Sequence, residues 1–176
     1  VGADNTRQAV ADAGPLIHLN EIASLSLLSV FDEVHMTSVV WTEATLPNRV
    51  EAKRLVMLPY LYEHQVVSND IARFVLDVNL SSLHFGEQTS LFLAHKLGIV
   101  LILTDDLAAR EVAKSLGLRP VGSLGVIARA CVRGLVDAEL AVELMRRLQK
   151  QSTLFVTDQI VELAIQTLNR QFDDKP

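Results

Sequence analysis

The 176-residue chain is predicted to form an α/β domain of three layers, a central parallel sheet flanked by helices. Three observations predict it. The run IVLILT, residues 99–104, is continuously apolar and rich in β-branched residues, as a strand buried on both faces of a parallel sheet must be. Around it, patterns of strand and helix length alternate with short links, the signature of repeated strand–helix units. The helical patterns there stop at Gly98 and Gly117, residues suited to the turn that closes a helix.

The elements follow in order. The opening VGADNTRQ, residues 1–8, lacks the basic and apolar regions of a signal peptide and reads as a short polar leader. AVADAG, residues 9–14, is a short apolar strand with one acid, stopped by Gly14 and Pro15. Proline is favoured at the first position of a helix, so LIHLNEIASLSLLSV is expected to start one. EVHMTSVV supplies β-branched residues for a second strand, and VVWTEAT turns helical until Pro47-Asn48 ends it. Residues 49–83 are the least legible. They hold a helix at EAKRLVML, a break at Pro59, an apolar snippet around Gln65-Val66-Val67, and a helix from Ile71.

Beyond residue 84 the pattern sharpens. GEQTSLFLAHKLG is a helix closed by Gly98, IVLILT the buried strand, DDLAAREVAKSLG a helix, and LRPVG a short strand. SLGVIARACVRG is a helix with Ser123 as its expected N-cap. Residues 9–135 make up the principal part of the domain, and 136–176 a C-terminal helical extension of it. That extension holds two amphipathic helices, about 137–150 and 157–170, and a small STLFV segment. Their apolar spacing, Leu140, Leu144, Leu148 and then Ile160, Leu163, Ile165, Leu168, suggests packing on the core or against another subunit. No internal repeat, low-complexity tract or linker divides the chain.

Composition narrows the function classes. The hydrophobic fraction is 49% and the mean hydropathy +0.28, yet no stretch approaches the ~18 apolar residues of a membrane helix. The single cysteine, Cys131, excludes a disulfide framework and a Cys/His metal cluster. These features point to a cytoplasmic protein without a membrane partner. The net charge of −5 argues against a protein that simply coats nucleic acid, whose affinity comes from neutralising phosphates. An acidic cleft holding divalent cations can still attract phosphate.

Candidate chemistry is reached by pruning. There is no GxxxxGK[ST] loop, no GxGxxG after the first strand, no GxSxG elbow and no HExxH. His18, His35, His64, His84 and His95 show no ligand-like i, i+4 pairing and suit surface or capping roles. The acids remain. Asp12 ends the first strand, where ligands of parallel sheets bind; it also suits a cap for the next helix. Glu43 follows Val40 and Val39 by three and four residues, on their face of the helix, and is aimed at the sheet end if they pack inward. A solvated glutamate is the alternative. Glu87 lies in the first turn of its helix, where the dipole alone would justify an acid. Asp105 and Asp106 follow directly on IVLILT. Two adjacent carboxylates ~4 Å apart at an effective dielectric of ~20 repel by about 4 kcal/mol, so something positive should compensate. Arg110 could do so, and a Mg²⁺ or Mn²⁺ ion would do it better.

VADAGPLIHL, SVVWTEA, FGEQTSLFLAHKLG and LTDDLAAREVAKSLGLRPVGSLGVI together resemble the PIN-domain family, over most of residues 9–135. The resemblance is closest to small prokaryotic members with a DxGPLI opening, a GE-containing helix and a DD-x-x-A-R turn leading to VGSLGV. It implies a Mg²⁺- or Mn²⁺-dependent endonuclease acting on RNA, with Asp12, Glu43, Glu87 and Asp106 as the acidic quartet. The metal ligands it implies are Asp12, Glu87, Asp105 and Asp106. Many small members are toxins of toxin–antitoxin pairs (VapC-type), usually dimeric and held inactive by an antitoxin, so the resemblance extends to those partners. Thr104 and Ser123 could offer hydroxyls near the strand ends, and Arg110, Lys114, Arg129 and Arg133 are the candidates for a basic RNA groove. Two other readings compete: a catalytically inactive PIN-like module binding a protein or RNA, and a metal-dependent phosphatase. The second lacks a DxDx[TV] strand, since Ala13 and Gly14 follow Asp12.

Overall fold

A computed structural model describes residues 7–173. Five parallel strands form one sheet: β1 (Gln8–Ala11), β2 (Glu33–Thr37), β3 (Leu61–His64), β4 (Leu101–Leu103) and β5 (Arg119–Val121). Their order is β3-β2-β1-β4-β5. The chain winds outward from β1 in one direction, then returns to the other side of β1 for β4 and β5. The boundary between β1 and β4 is therefore the topological switch point, where ligands of open parallel sheets bind.

Nine α-helices join and flank the strands: α1 (Ala13–Glu21), α2 (Ser38–Ala44), α3 (Ala52–Val56), α4 (Ser68–Asp77), α5 (Phe85–Leu97), α6 (Leu107–Ser115), α7 (Ser123–Val132), α8 (Ala138–Gln151) and α9 (Asp158–Asp173) among the described residues. Strand periodicity sorts them into two layers. Ala9 and Ala11 of β1, Val34 and Met36 of β2, and Leu101 and Leu103 of β4 face one core, shared with α1, α7, α8 and α9. Val10 and Ile102 point the opposite way, toward α4, α5 and α6. The three-layer α/β/α architecture expected from the sequence is the one observed.

Several boundaries differ from the sequence reading, each for a physical reason. The expected helix from Pro15 to Val30 is two pieces. α1 begins at Ala13, with Pro15 still in its first turn, and ends at Glu21. Ala23 then adopts φ +57°, a left-handed conformation no helix can pass through, and a 3₁₀ segment covers Leu25–Val30. The expected strand EVHMTSVV stops at Thr37, which caps α2 by accepting the Val40 N–H at 3.2 Å. β3 has no counterpart in the sequence reading. At the sheet edge its four residues are half-buried or exposed, so no apolar run marks it. β5 carries Pro120, which an edge strand tolerates because one side of its ladder is unpaired.

The C-terminal helices lie on the main core. Ala141, Leu144, Met145 and Leu148 of α8, and Val161, Ile165 and Leu168 of α9, are buried in the same cluster as Ala9 and Leu101. Of the expected stripes, Leu144, Leu148, Ile165 and Leu168 are buried, while Leu140, Ile160 and Leu163 point outward. No helix among the described residues is long and apolar enough to cross a membrane.

Candidate metal centre

Asp12 leaves β1 at the switch point. Its backbone N–H bonds to the Leu103 carbonyl at 2.9 Å, extending the β1–β4 ladder by one rung and fixing where its side chain emerges. The residue is only 8% exposed. It occupies the N-cap position of α1, yet its carboxylate makes no capping bond to the helix. Its polar partners are the N–H of Ala13, the adjoining residue, and the Thr104 hydroxyl at a long 3.5 Å. Those are few partners for a buried ionised carboxylate.

Thr104 ties Asp12 to the neighbouring turn. Its Oγ1 accepts the Asp106 N–H at 3.3 Å, and its carbonyl accepts the Arg110 guanidinium at 3.1 Å. Asp106 caps α6, one carboxylate oxygen taking the Ala109 N–H at 2.8 Å. Arg110, expected to offset the adjacent acids, is thus bonded to a backbone carbonyl beside them.

Asp105 turns away from Asp106 and finds its own compensation. Oδ2 lies 2.8 Å from His18 Nδ1 and accepts the Ser123 hydroxyl at 2.6 Å, while Oδ1 accepts the Ser123 N–H at 2.7 Å. Ser123 is the first residue of α7, with Gly122 at the N-cap, so its hydroxyl serves Asp105 rather than its own helix. One carboxylate thereby joins α1, β4 and α7. Gly122 is required here: a Cβ would sit 2.7 Å from Asp105 Oδ1 and 3.2 Å from the Arg110 guanidinium. Both oxygens of Asp105 are occupied, whereas Asp106 commits one to its helix.

Glu43 and Glu87 come from the helices that border this edge. Val40 and Ala44 bury the inner face of α2, leaving Glu43 half-exposed at its end, with Arg49 Nη1 3.5 Å from Oε1. Glu87 sits in the first turn of α5, where the helix dipole favours an acid, and its Oε2 accepts the His84 N–H at 2.9 Å. A buried chain of hydroxyls sets α5 against α2. Thr89 donates to the Gly86 carbonyl at 2.8 Å and lies 2.9 Å from the Thr37 hydroxyl, and Ser90 donates to the same carbonyl at 3.0 Å. Gly86 makes the approach possible. A Cβ there would meet Glu43 Oε2 at 2.7 Å and Asp12 Oδ1 at 3.7 Å, so both carboxylates reach into the space its missing side chain leaves.

The electrostatics couple these groups. Burial, opposed by the Ala13 N–H bond and reinforced by the charges of Glu87, Glu43 and Asp105, raises the Asp12 pKa from 3.8 to about 7. Glu87 is also raised, first by burial, against its bond to His84, and then by Asp106 and Glu43. The structure thus brings Asp12, Glu43, Glu87, Asp105 and Asp106 into one field. Among the described residues, however, no three His, Cys, Asp or Glu side chains stand together as a ligand set. The donor chemistry suits a hard cation: carboxylate oxygens without nitrogen or sulfur, around an under-compensated buried acid.

Other residues singled out in the sequence have local partners. Lys114 pairs with Glu111, Arg129 lies over the Phe31 ring, and Arg133 donates to the Val30 carbonyl. Three histidines expected in surface or capping roles make longer-range pairings instead. His18 holds Asp105 across 87 residues of sequence, and His35 pairs with His64 at 2.9 Å across β2 and β3. Neither pairing leaves a signal in local spacing.

A doubly wound parallel sheet with carboxylates gathered at its switch point defines an α/β protein with an acidic edge where parallel sheets bind their ligands. A family model of the PIN domain matches residues 8–170, and the chain belongs to the PIN-domain family. That is a nuclease-type fold, whose members are in general nucleases and typically use divalent metals. A comparison with curated proteins gave no match.

Proposed function

We propose that this protein is a divalent-metal-dependent endoribonuclease that hydrolyses phosphodiester bonds of RNA. The observation that carries the reading is Asp12, a buried acid at the switch point, coupled to Glu43, Glu87 and Asp105 and short of compensating partners. Asp12 and Asp106 would hold Mg²⁺ or Mn²⁺, with Glu43 and Glu87 completing the set from α2 and α5. Asp105, both oxygens engaged, acts as a positioning residue that fixes the β4 turn against α1 and α7.

When bound, such a cation supplies Lewis-acid stabilisation of a phosphoryl oxygen and lowers the pKa of water. The chain's own groups do the rest. Thr104 orients Asp12 through its hydroxyl and Asp106 through the Asp106 amide. Glu43 and Glu87, each tethered by one partner, accept the proton of the attacking water or orient it for in-line attack on phosphorus. The P–O bond to the leaving ribose oxygen then breaks, and that oxygen takes up a proton from solvent. No histidine base is required.

Within this reading the protein fits a toxin restrained by an antitoxin and working as a homodimer in the cytoplasm. That assignment stands on family resemblance alone.

The test is cleavage of labelled RNA with Mn²⁺. Wild type should cut, while Asp12→Asn and Asp106→Asn should each lose at least 100-fold in rate and keep their circular dichroism spectrum. Equal activity in EDTA would overturn the metal-dependent reading, and no cleavage by wild type in Mn²⁺ would favour a non-catalytic binding module.

A further inference from the structure

The chain leaving α2 folds back on it. Asn48 adopts φ +67°, which asparagine tolerates better than most residues, and the Arg49 N–H returns to the Leu46 carbonyl at 3.1 Å. This reversal lays Arg49 across the C-terminal end of α2. Its Nη1 donates to the Glu43 carbonyl at 3.0 Å and lies 3.5 Å from Glu43 Oε1. The first contact is a common way to satisfy a helix-end carbonyl. The second is long, and its side chains are 38% and 43% exposed, so it contributes little.

The guanidinium is therefore anchored through one nitrogen, with further donors to offer. Beside it runs a groove of about 440 Å³ lined by Ser38, Val39, Thr42, Glu43 and Leu46. Glu43 belongs both to this groove and to the acid cluster at Gly86. Glu43 thus links the acid cluster, the groove and Arg49.

We propose that Arg49 is the substrate clamp of this site, exchanging its weak contact with Glu43 for a phosphate of single-stranded RNA next to the one that is cut. A phosphate accepts two parallel N–H bonds from a guanidinium, which the 3.5 Å carboxylate contact does not match. This inference rests on the ribonuclease reading above.

The test counts phosphates by salt dependence. A fluorescent phosphorothioate oligoribonucleotide in Mg²⁺ keeps its charge, and its soft sulfur slows hydrolysis by a hard cation. Binding is measured by anisotropy at several salt concentrations for wild type, Arg49→Ala, Arg49→Gln and Arg49→Lys. The slope of log affinity against log salt should fall by about 0.7 in Arg49→Ala, the value for one phosphate on a single strand. Arg49→Gln keeps a donor for the Glu43 carbonyl and should lose the same slope, which guards against a folding defect in the alanine variant. Arg49→Lys should retain the slope with weaker affinity, having charge without the planar fork. An unchanged slope in both Arg49→Ala and Arg49→Gln, with wild type binding normally, overturns the clamp and leaves the ribonuclease reading standing. No salt-dependent binding by wild type overturns both.

Discussion

At the scale of single residues, Asp12 determines how the protein responds to pH. Its carboxyl titrates at 3.8 in a reference chain and at about 7 here, with burial as the main cause. Between those values the folded state binds more protons than the unfolded chain, so this group's stabilising contribution is complete below pH ~4 and is lost as pH rises through 7. The loss is on the order of 4 kcal/mol. Glu87, shifted in the same direction, adds to it. In EDTA, Asp12→Asn should therefore unfold at higher urea concentration than wild type at pH 8 and show little such advantage at pH 4. A variant less stable than wild type at pH 8 would contradict this. A cation must displace the Asp12 proton, so its affinity should also rise with pH up to about 7. This residue and Asp106 were legible in the sequence because strand ends in a parallel sheet share one edge. Asp105 was legible as an acid but not as a positioning residue, since His18 and Ser123 meet it only after α1 and α7 have docked.

At the scale of elements, the site depends on how α2 and α5 are held relative to each other. The contact is polar and buried: Thr37 at the start of α2, Thr89 in α5, and the Gly86 carbonyl one residue before Glu87. Thr89→Val preserves shape and removes the hydroxyl, leaving the buried Thr37 hydroxyl without its acceptor while Ser90 still donates to the Gly86 carbonyl. The variant should lose about 1–3 kcal/mol in urea unfolding and bind Mn²⁺ more weakly than wild type by calorimetry. Unchanged metal affinity would mean that this hydroxyl chain does not position the acids. The same dependence explains why Glu43 and Glu87 joined the candidate site mainly through resemblance. A carboxylate on a helix faces the sheet edge only if the helix is placed and rotated to allow it, and helical period alone leaves that open. β3 and the break at Ala23 were illegible for related reasons. An edge strand such as LYEH needs no apolar alternation, and one left-handed residue does not disturb an apolar pattern that continues beyond it.

At the scale of the whole molecule, topology does most of the work. The β3-β2-β1-β4-β5 order sets β1 and β4 side by side, so Asp12 and Asp106 lie at the same edge of the sheet although 94 positions separate them, a distance no local pattern spans. The buried run IVLILT and the alternating strand and helix lengths made that architecture readable, because a strand covered on both faces must be apolar throughout. The C-terminal helices α8 and α9 pack in the core on the sheet face that carries Ala9, Ala11, Leu101 and Leu103. The most direct test of the account is a crystal soaked in Mn²⁺ and measured at its absorption edge. One anomalous peak is expected at the switch point, with oxygen ligands from Asp12 and Asp106 and with Glu43 or Glu87 in reach. A well-diffracting soaked crystal with no peak among these four acids would contradict it.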